Sequence, residues 1–227
     1  MALVCASAVA STAETGSDGL PLNGMAPLYF PLPNGRNKSV SARLTLPEVP
    51  ANKHWYANWV MIVGKPADAP HDAFVQVGLI RRPGQSRSPY IFCAWQSAQQ
   101  SRIEFRQLHA VADSPHRFAI VQLQGVFRLI VDGRELARLR MPSLAQPQSR
   151  PYAQIGPEVF AEGDALSGDV LYAAISYNNS WKRVGEADSC RYENHGVSLR
   201  DSRGVWTSFG RFDRMKPSQF RGNCSGF

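Results

Sequence analysis

The chain reads as an all-β protein, an antiparallel two-sheet β-sandwich of the jelly-roll kind or a related sandwich, and three observations carry that reading. Short apolar, β-branched runs recur between Ser39 and Tyr177 with Gly, Pro, Asn and Asp between them. The segment HRFAIVQLQGVFRLIVDGRELARLRM holds two such runs joined at Asp132-Gly133, a strong signal for a type I′ hairpin. No stretch sustains apolar residues at i, i+3, i+4 and i+7, so long amphipathic helices are not expected. Many short strands and few helices mean a sandwich or barrel.

Taken in order, residues 1–13 (MALVCASAVASTA) read as the remnant of a secretory signal, with Ala8-Val9-Ala10 fitting a cleavage site. They are too short for a membrane span, and no later stretch qualifies. A secreted, extracellular or periplasmic location is expected. Residues 14–35, rich in Gly, Pro, Ser and Asn, are expected to be a loop-like arm. The sandwich domain is placed at 36–180. Its strands are predicted near Ser39–Leu46, Asn58–Val63, Ala73–Arg81, Tyr90–Gln96, Ile103–Ala110, His116–Gln122, Val126–Val131, Glu135–Met141, Ala153–Ala161 and Val170–Tyr177. Glu135–Arg140 could also open a helix with Leu136 and Leu139 on one face; the Asp-Gly hairpin and the short length favour a strand. Residues 181–227, rich in Gly, Ser, Arg and aromatics, are expected to be a C-terminal extension packed on the sandwich or a small module of their own.

A chain of 227 residues can bury roughly 70% of its unfolded surface without disulfides. With 44% hydrophobic and 19% charged residues it is globular in composition. The net charge is +7, and it is uneven. Residues 81–140 hold ten basic and four acidic groups, 141–180 one and four, and 181–227 nine and five. An anionic polymer could bind such a surface, but a solvated basic face explains it as well, and no nucleic-acid partner is expected. Of the four cysteines, Cys190 and Cys224 are the expected disulfide, which would staple the tail back to the domain; Cys93, alone in a strand, is expected to be a buried free thiol.

The chain carries no P-loop, dinucleotide fingerprint, HExxH or GxSxG motif. Its five histidines are not at metal-ligand spacing, so neither a metal nor a cofactor is expected. His109, Asp113 and Ser114 are too close in sequence to suggest more than a loop. The notable polar residues are Gln76, inside the apolar run AFVQVGLI, and the pair Glu158 and Glu162 in PEVFAE. Residues i and i+4 of a strand share a face, so both carboxylates would point one way, with Val159 and Ala161 pointing the other.

The runs WVMIVG and FVQVGL followed by PEVFAE resemble the eqolisins, glutamic endopeptidases with a concanavalin-like sandwich. That family has a strand of the type WVGI-G, a strand of the type LQTGV with the catalytic glutamine, and a strand of the type AEWIVE with the catalytic glutamate first. Trp59, Val60, Ile62 and Gly64 match the first element, Gln76 and Gly78 the second, and Glu158 and Glu162 the third. The resemblance implies Glu158 as the general acid/base that activates a water and Gln76 as the amide that holds it and stabilises the oxyanion. Met61 stands where glycine is usual, Pro157 precedes the glutamate, and YIFCAWQS stands where the family has a YEWYP-like stretch.

The hairpin segment with its Val-Asp-Gly turn is also similar to the wider concanavalin/laminin-G-like superfamily, many members of which only bind. In that reading Gln76 and Glu158 are polar groups on a concave face, and Trp59, Tyr90, Trp95 and Glu162 are ligand-binding candidates beside Trp55. Each aromatic is equally a core candidate. Two functions are therefore carried forward. One is a binding module for polysaccharide or cell-surface glycan. The other is an acid-type glutamic endopeptidase acting on polypeptide through Gln76 and Glu158. A glycan-cleaving enzyme or a structural, secreted interaction protein is the remaining class.

Overall fold

The computed structural model describes residues 24–25, 28–32, 37–46, 55–64, 66, 69–70, 72–81, 88–99, 103–146, 151–159, 165–177, 180–184, 190–192, 206–211 and 220–222. In chain order the strands are β1 (Gly24–Met25), β2 (Leu28–Pro31), β3 (Ser39–Thr45), β4 (Tyr56–Gly64), β5 (Ala73–Arg81), β6 (Tyr90–Gln96), β7 (Glu104–Ala110) and β8 (His116–Leu123). They continue as β9 (Val126–Val131), β10 (Arg134–Arg140), β11 (Tyr152–Val159), β12 (Ala165–Tyr177), β13 (Ser180–Arg183), β14 (Cys190–Tyr192), β15 (Trp206–Arg211) and β16 (Phe220–Gly222). One short helix, α1 (Pro142–Ala145), follows β10.

Two sheets form, with every pairing antiparallel. The nine-stranded sheet runs β16-β14-β2-β11-β4-β5-β6-β7, with β1 also on β11; the seven-stranded sheet runs β10-β9-β8-β3-β12-β13, with β15 also on β12. This is the predicted all-β, two-sheet sandwich. Two tight turns follow from local chemistry. Gln124-Gly125 joins β8 to β9 with φ of 51° and 78°, and Asp132-Gly133 joins β9 to β10 with φ of 49° and 81°. Both central residues of each turn lie at positive φ, the type I′ signature that Asp-Gly suits. The hairpin keeps 134–140 in a strand, so the helical alternative for that segment does not form.

Between the sheets lies one continuous core, with Phe30, Val40, Leu44, Ile62, Val75, Leu79, Phe118, Phe127, Leu129 and Ile155 all fully buried. Each contributes about 1.5–3 kcal/mol by leaving water. Arg81, 1% exposed, crosses this layer at its end: its Nη2 donates to the carbonyl of Leu46 at 2.9 Å and pairs with Asp113 Oδ2 at 2.9 Å. Asp113 thus belongs to a structural ion pair linking β5 to the loop before β8.

Both terminal segments contribute strands to the sheets. The loop-like arm contains β1 and β2, and β2 is an internal strand between β14 and β11 with Leu28 at 3% and Phe30 at 0% exposure. A four-residue run closed by proline gives too short a pattern to be recognised by alternation. The expected C-terminal extension supplies strands to both sheets, β13 and β15 to one and β14 and β16 to the other. Residues 1–13 and Cys224, with the bond expected to Cys190, lie outside the described residues.

Candidate functional site

Strand alternation explains the glutamine in the apolar strand. Val75, Val77 and Leu79 point into the inter-sheet core, so Phe74, Gln76, Gly78 and Ile80 point to the outer face of the nine-stranded sheet. The register then places residues from four strands in three rows on that face. Glu158, Ala57, Ile80 and Tyr90 form one row; Gly156, Trp59, Gly78 and Phe92 the next; Gln154, Met61, Gln76 and Ala94 the third. A second hydrophobic cluster covers this face, separate from the core, with Trp55, Phe74, Tyr90, Phe105 and Tyr152 half-buried around Trp59, Ile80 and Phe92.

Trp59 is the centre of the arrangement. Its side chain is flanked by glycine on both neighbouring strands, Gly156 on β11 and Gly78 on β5. A Cβ at Gly78 would sit 2.6 Å from the Trp59 Cβ and 2.3 Å from the Asn58 carbonyl oxygen. The indole is completely buried, and its Nε1 donates to Glu158 Oε2 at 2.9 Å. The bond crosses from the middle row to the Glu158 row and fixes one carboxylate oxygen. Trp59 therefore anchors Glu158 and is not an exposed stacking surface.

Gln76 and Glu158 share the face but not the row. Two strand spacings and four residues separate them, roughly 10 Å across and 13 Å along in a flat sheet. The residue level with Gln76 on β11 is Gln154, with Met61 between the two amides. Met61, Gln76, Gln154 and Glu158 keep a thin margin of exposure, 8%, 8%, 6% and 9%. Gln154 Oε1 is buried and has no protein hydrogen-bond partner among the described residues. Sequence reasoning passed over Gln154, although it lies four residues before Glu158 on one strand and so shares its face by the same alternation that was applied to Glu162.

The other candidates disperse. Tyr90 is half-buried on the outer face, level with Ile80. Trp95 lies level with Val75, on the core side of the sheet, where the Arg106 guanidinium sits 4.9 Å from its ring centre. Trp59, Tyr90 and Trp95 therefore do not form one platform. Glu162 lies outside the described residues. Cys93 is a buried free thiol facing the core, pushed up to about 11 by burial against the opposing pull of Arg106. No group of three or more His, Cys, Asp or Glu able to hold a metal occurs among the described residues. No helix among them is long and apolar enough to cross a membrane.

No family model and no curated protein matches the chain. Among solved structures it is similar to scytalido-glutamic peptidase with a transition state analog inhibitor, at TM-score 0.55 and 9% identity, over 83% of this chain and 98% of that one. The same peptidase with a peptide-based transition state analog matches at TM-score 0.51 and 7% identity, over 84% and 98%. An alginate lyase from Pseudomonas aeruginosa matches at TM-score 0.47 and 14% identity, over 74% and 70%. The chain has the concanavalin-like β-sandwich and resembles the eqolisins in fold.

Proposed function

We propose that the chain is a non-hydrolytic binding module whose outer nine-stranded face takes a neutral polysaccharide or cell-surface glycan at Gln76 and Gln154. The observation that carries the reading is Gln154 Oε1, without a hydrogen-bond partner among the described residues, on a face rimmed by half-buried aromatics. A buried acceptor without a partner costs about 1–3 kcal/mol, and a ligand hydroxyl removes that cost. Glutamine amides both donate and accept, as sugar hydroxyls do, and Trp55, Phe74, Tyr90 and Tyr152 offer apolar rings to the faces of a sugar.

A second reading, peptide hydrolysis by Gln76 and Glu158, is favoured by their sharing one face. Against it stand the amide level with Gln76, where a carboxylate is needed, and the Met61 side chain between them. One pair of assays separates the two. Affinity electrophoresis through neutral polysaccharides should retard the wild type, and Gln76→Ala/Gln154→Ala should migrate freely with an unchanged far-UV spectrum. Cleavage of a denatured protein substrate across about pH 2–8 should be absent. Acid-range cleavage that disappears in Glu158→Gln would replace the binding reading with the peptidase one.

A further inference from the structure

The outer face of the opposite, seven-stranded sheet is arginine-rich. Alternation and register put Arg43 on β3, Arg117 on β8, Arg128 on β9, Arg138 and Arg140 on β10 and Arg183 on β13 on that one face. Among the side chains described, the carboxylates on the same face are Asp132 and Glu135; Asp169 on β12 is level with Thr45 on β3. Glu135 is occupied by Arg128 and Arg138, which it joins in a compact ion-pair cluster. Asp132 is occupied by the His116 ring nitrogen Nδ1 at 2.7 Å and by the Arg117 backbone N–H at 2.9 Å.

A second group of arginines forms no salt bridge with Asp132 or Glu135. Arg43 and Arg117 are directly opposite one another across β3 and β8, both exposed, and neither makes a salt bridge among the described residues. Arg117 Nε reaches only the Ser41 hydroxyl at 3.4 Å. Like charges directly opposed across strands weaken a sheet. On β12, level with Arg43, stands Tyr172, and the Arg183 guanidinium lies over its ring at 5.7 Å. Arg183, Tyr172, Arg43 and Arg117 thus form a line across four adjacent strands, about 15 Å long at the usual strand spacing. Apart from the longer-range pull between Arg43 and Asp132, no contact among the described residues offsets this like-charge pair, which is the pattern of a functional site.

We propose that this line binds an acidic polysaccharide, with Arg43, Arg117 and Arg183 gripping successive carboxylate or sulfate groups and Tyr172 as the floor. Guanidinium forks match carboxylate and sulfate geometry in two-point contacts. A nucleic acid fits less well. Duplex readout needs a helix or ribbon that enters a groove, and single strands need aromatics interleaved along the basic track. Here Tyr172 is already covered by Arg183, and Trp181, 43% exposed on the Arg183 face of β13, puts an open aromatic at one end of the line with none described between Arg43 and Arg117. The site is on the face opposite to Gln76 and Gln154, so it stands or falls apart from the function proposed above.

The test is calorimetric titration of the full chain with a heparin decasaccharide at two salt concentrations. Arg43→Gln/Arg117→Gln is compared with Arg106→Gln/Arg134→Gln, which removes the same charge from β7 and from the start of β10. The first variant should lose about tenfold or more in affinity, with a shallower salt dependence, and the second less than about twofold. Both variants should keep the wild-type far-UV spectrum at the temperature of the titration, so that the loss in the first reads the missing contacts and not unfolding. Absence of heparin binding, or equal loss in both variants, overturns the proposal in favour of no site or of diffuse charge attraction. Single-stranded DNA bound more tightly than heparin, with the same sensitivity to Arg43 and Arg117, overturns the assignment to polysaccharide.

Discussion

Gly78 shows how much of the site rests on one missing side chain. With the Trp59 Cβ 2.6 Å and the Asn58 oxygen 2.3 Å from where its Cβ would be, even alanine forces β4 and β5 apart or displaces the indole. Gly78→Ala should cost roughly 1–3 kcal/mol, the range for overpacking a tight site. Urea denaturation reads it directly, and an unchanged midpoint would refute the packing described for Trp59. Trp59→Phe probes the neighbouring link. It keeps an aromatic on the face but withdraws the Nε1 donor from the buried Glu158 Oε2, a loss of about 1–3 kcal/mol that the same urea denaturation reads. At this scale the sequence was partly legible. Gln76 stood out because an amide interrupts an apolar strand, and Glu158 because it opens PEVFAE. Gln154 did not, since being level with Gln76 depends on the register of three strands, which no local pattern encodes.

Among the elements, the β9–β10 hairpin was the most legible, since Asp132-Gly133 states its own turn type. The spans of β5, β6 and β9 were likewise predicted to the residue, each being an apolar run closed by turn signals on both sides. The terminal strands were not, because β2 is four residues long and β15 pairs only through a partner far away in sequence. The hairpin carries a pH dependence. Burial of Asp132 opposes its ionisation, but the His116 side-chain hydrogen bond, the Arg117 N–H and the charges of His116 and Arg43 together outweigh it, and its carboxyl is held below the usual range. A carboxyl lowered in the folded state stabilises above its unfolded value, near 3.9, and loses that contribution as pH falls through the folded value. Asp132→Asn preserves a residue suited to positive φ while deleting the charge. Its melting temperature should therefore lie below that of the wild type near pH 6, with the gap closing below about pH 4. A gap that persists undiminished to about pH 2 would show that the turn conformation, not the carboxylate, is what matters.

In the whole molecule, the chain ends close the sandwich. β14 covers β2 and is covered in turn by β16, while β15 pairs with the first half of β12 from Ala165 to Val170. Removing residues 185–227 would strip three strands from two sheets. It would turn β2, whose Leu28, Tyr29 and Phe30 are 3%, 6% and 0% exposed, into an open edge beside the strand that holds Gln154 and Glu158. Unpaired edges of this apolar kind recruit other chains. The truncated chain should melt at least about 5 °C lower, corresponding to roughly 2 kcal/mol for a domain of this size, and should elute partly as oligomers. Both proposed faces should respond differently to the cut. The arginine line runs over β13, β12, β3 and β8, clear of β14 and β16, and the cut takes β15 only from Ala165–Val170 of β12, where β3 and β13 still hold the strand at Tyr172 and beyond, so heparin affinity should survive in the monomeric fraction, whereas neutral-glycan retardation should weaken as β2 and β11 loosen. A truncated chain that melts and elutes like the full one would mean that the tail is an accessory and that β2 is held by β11 alone.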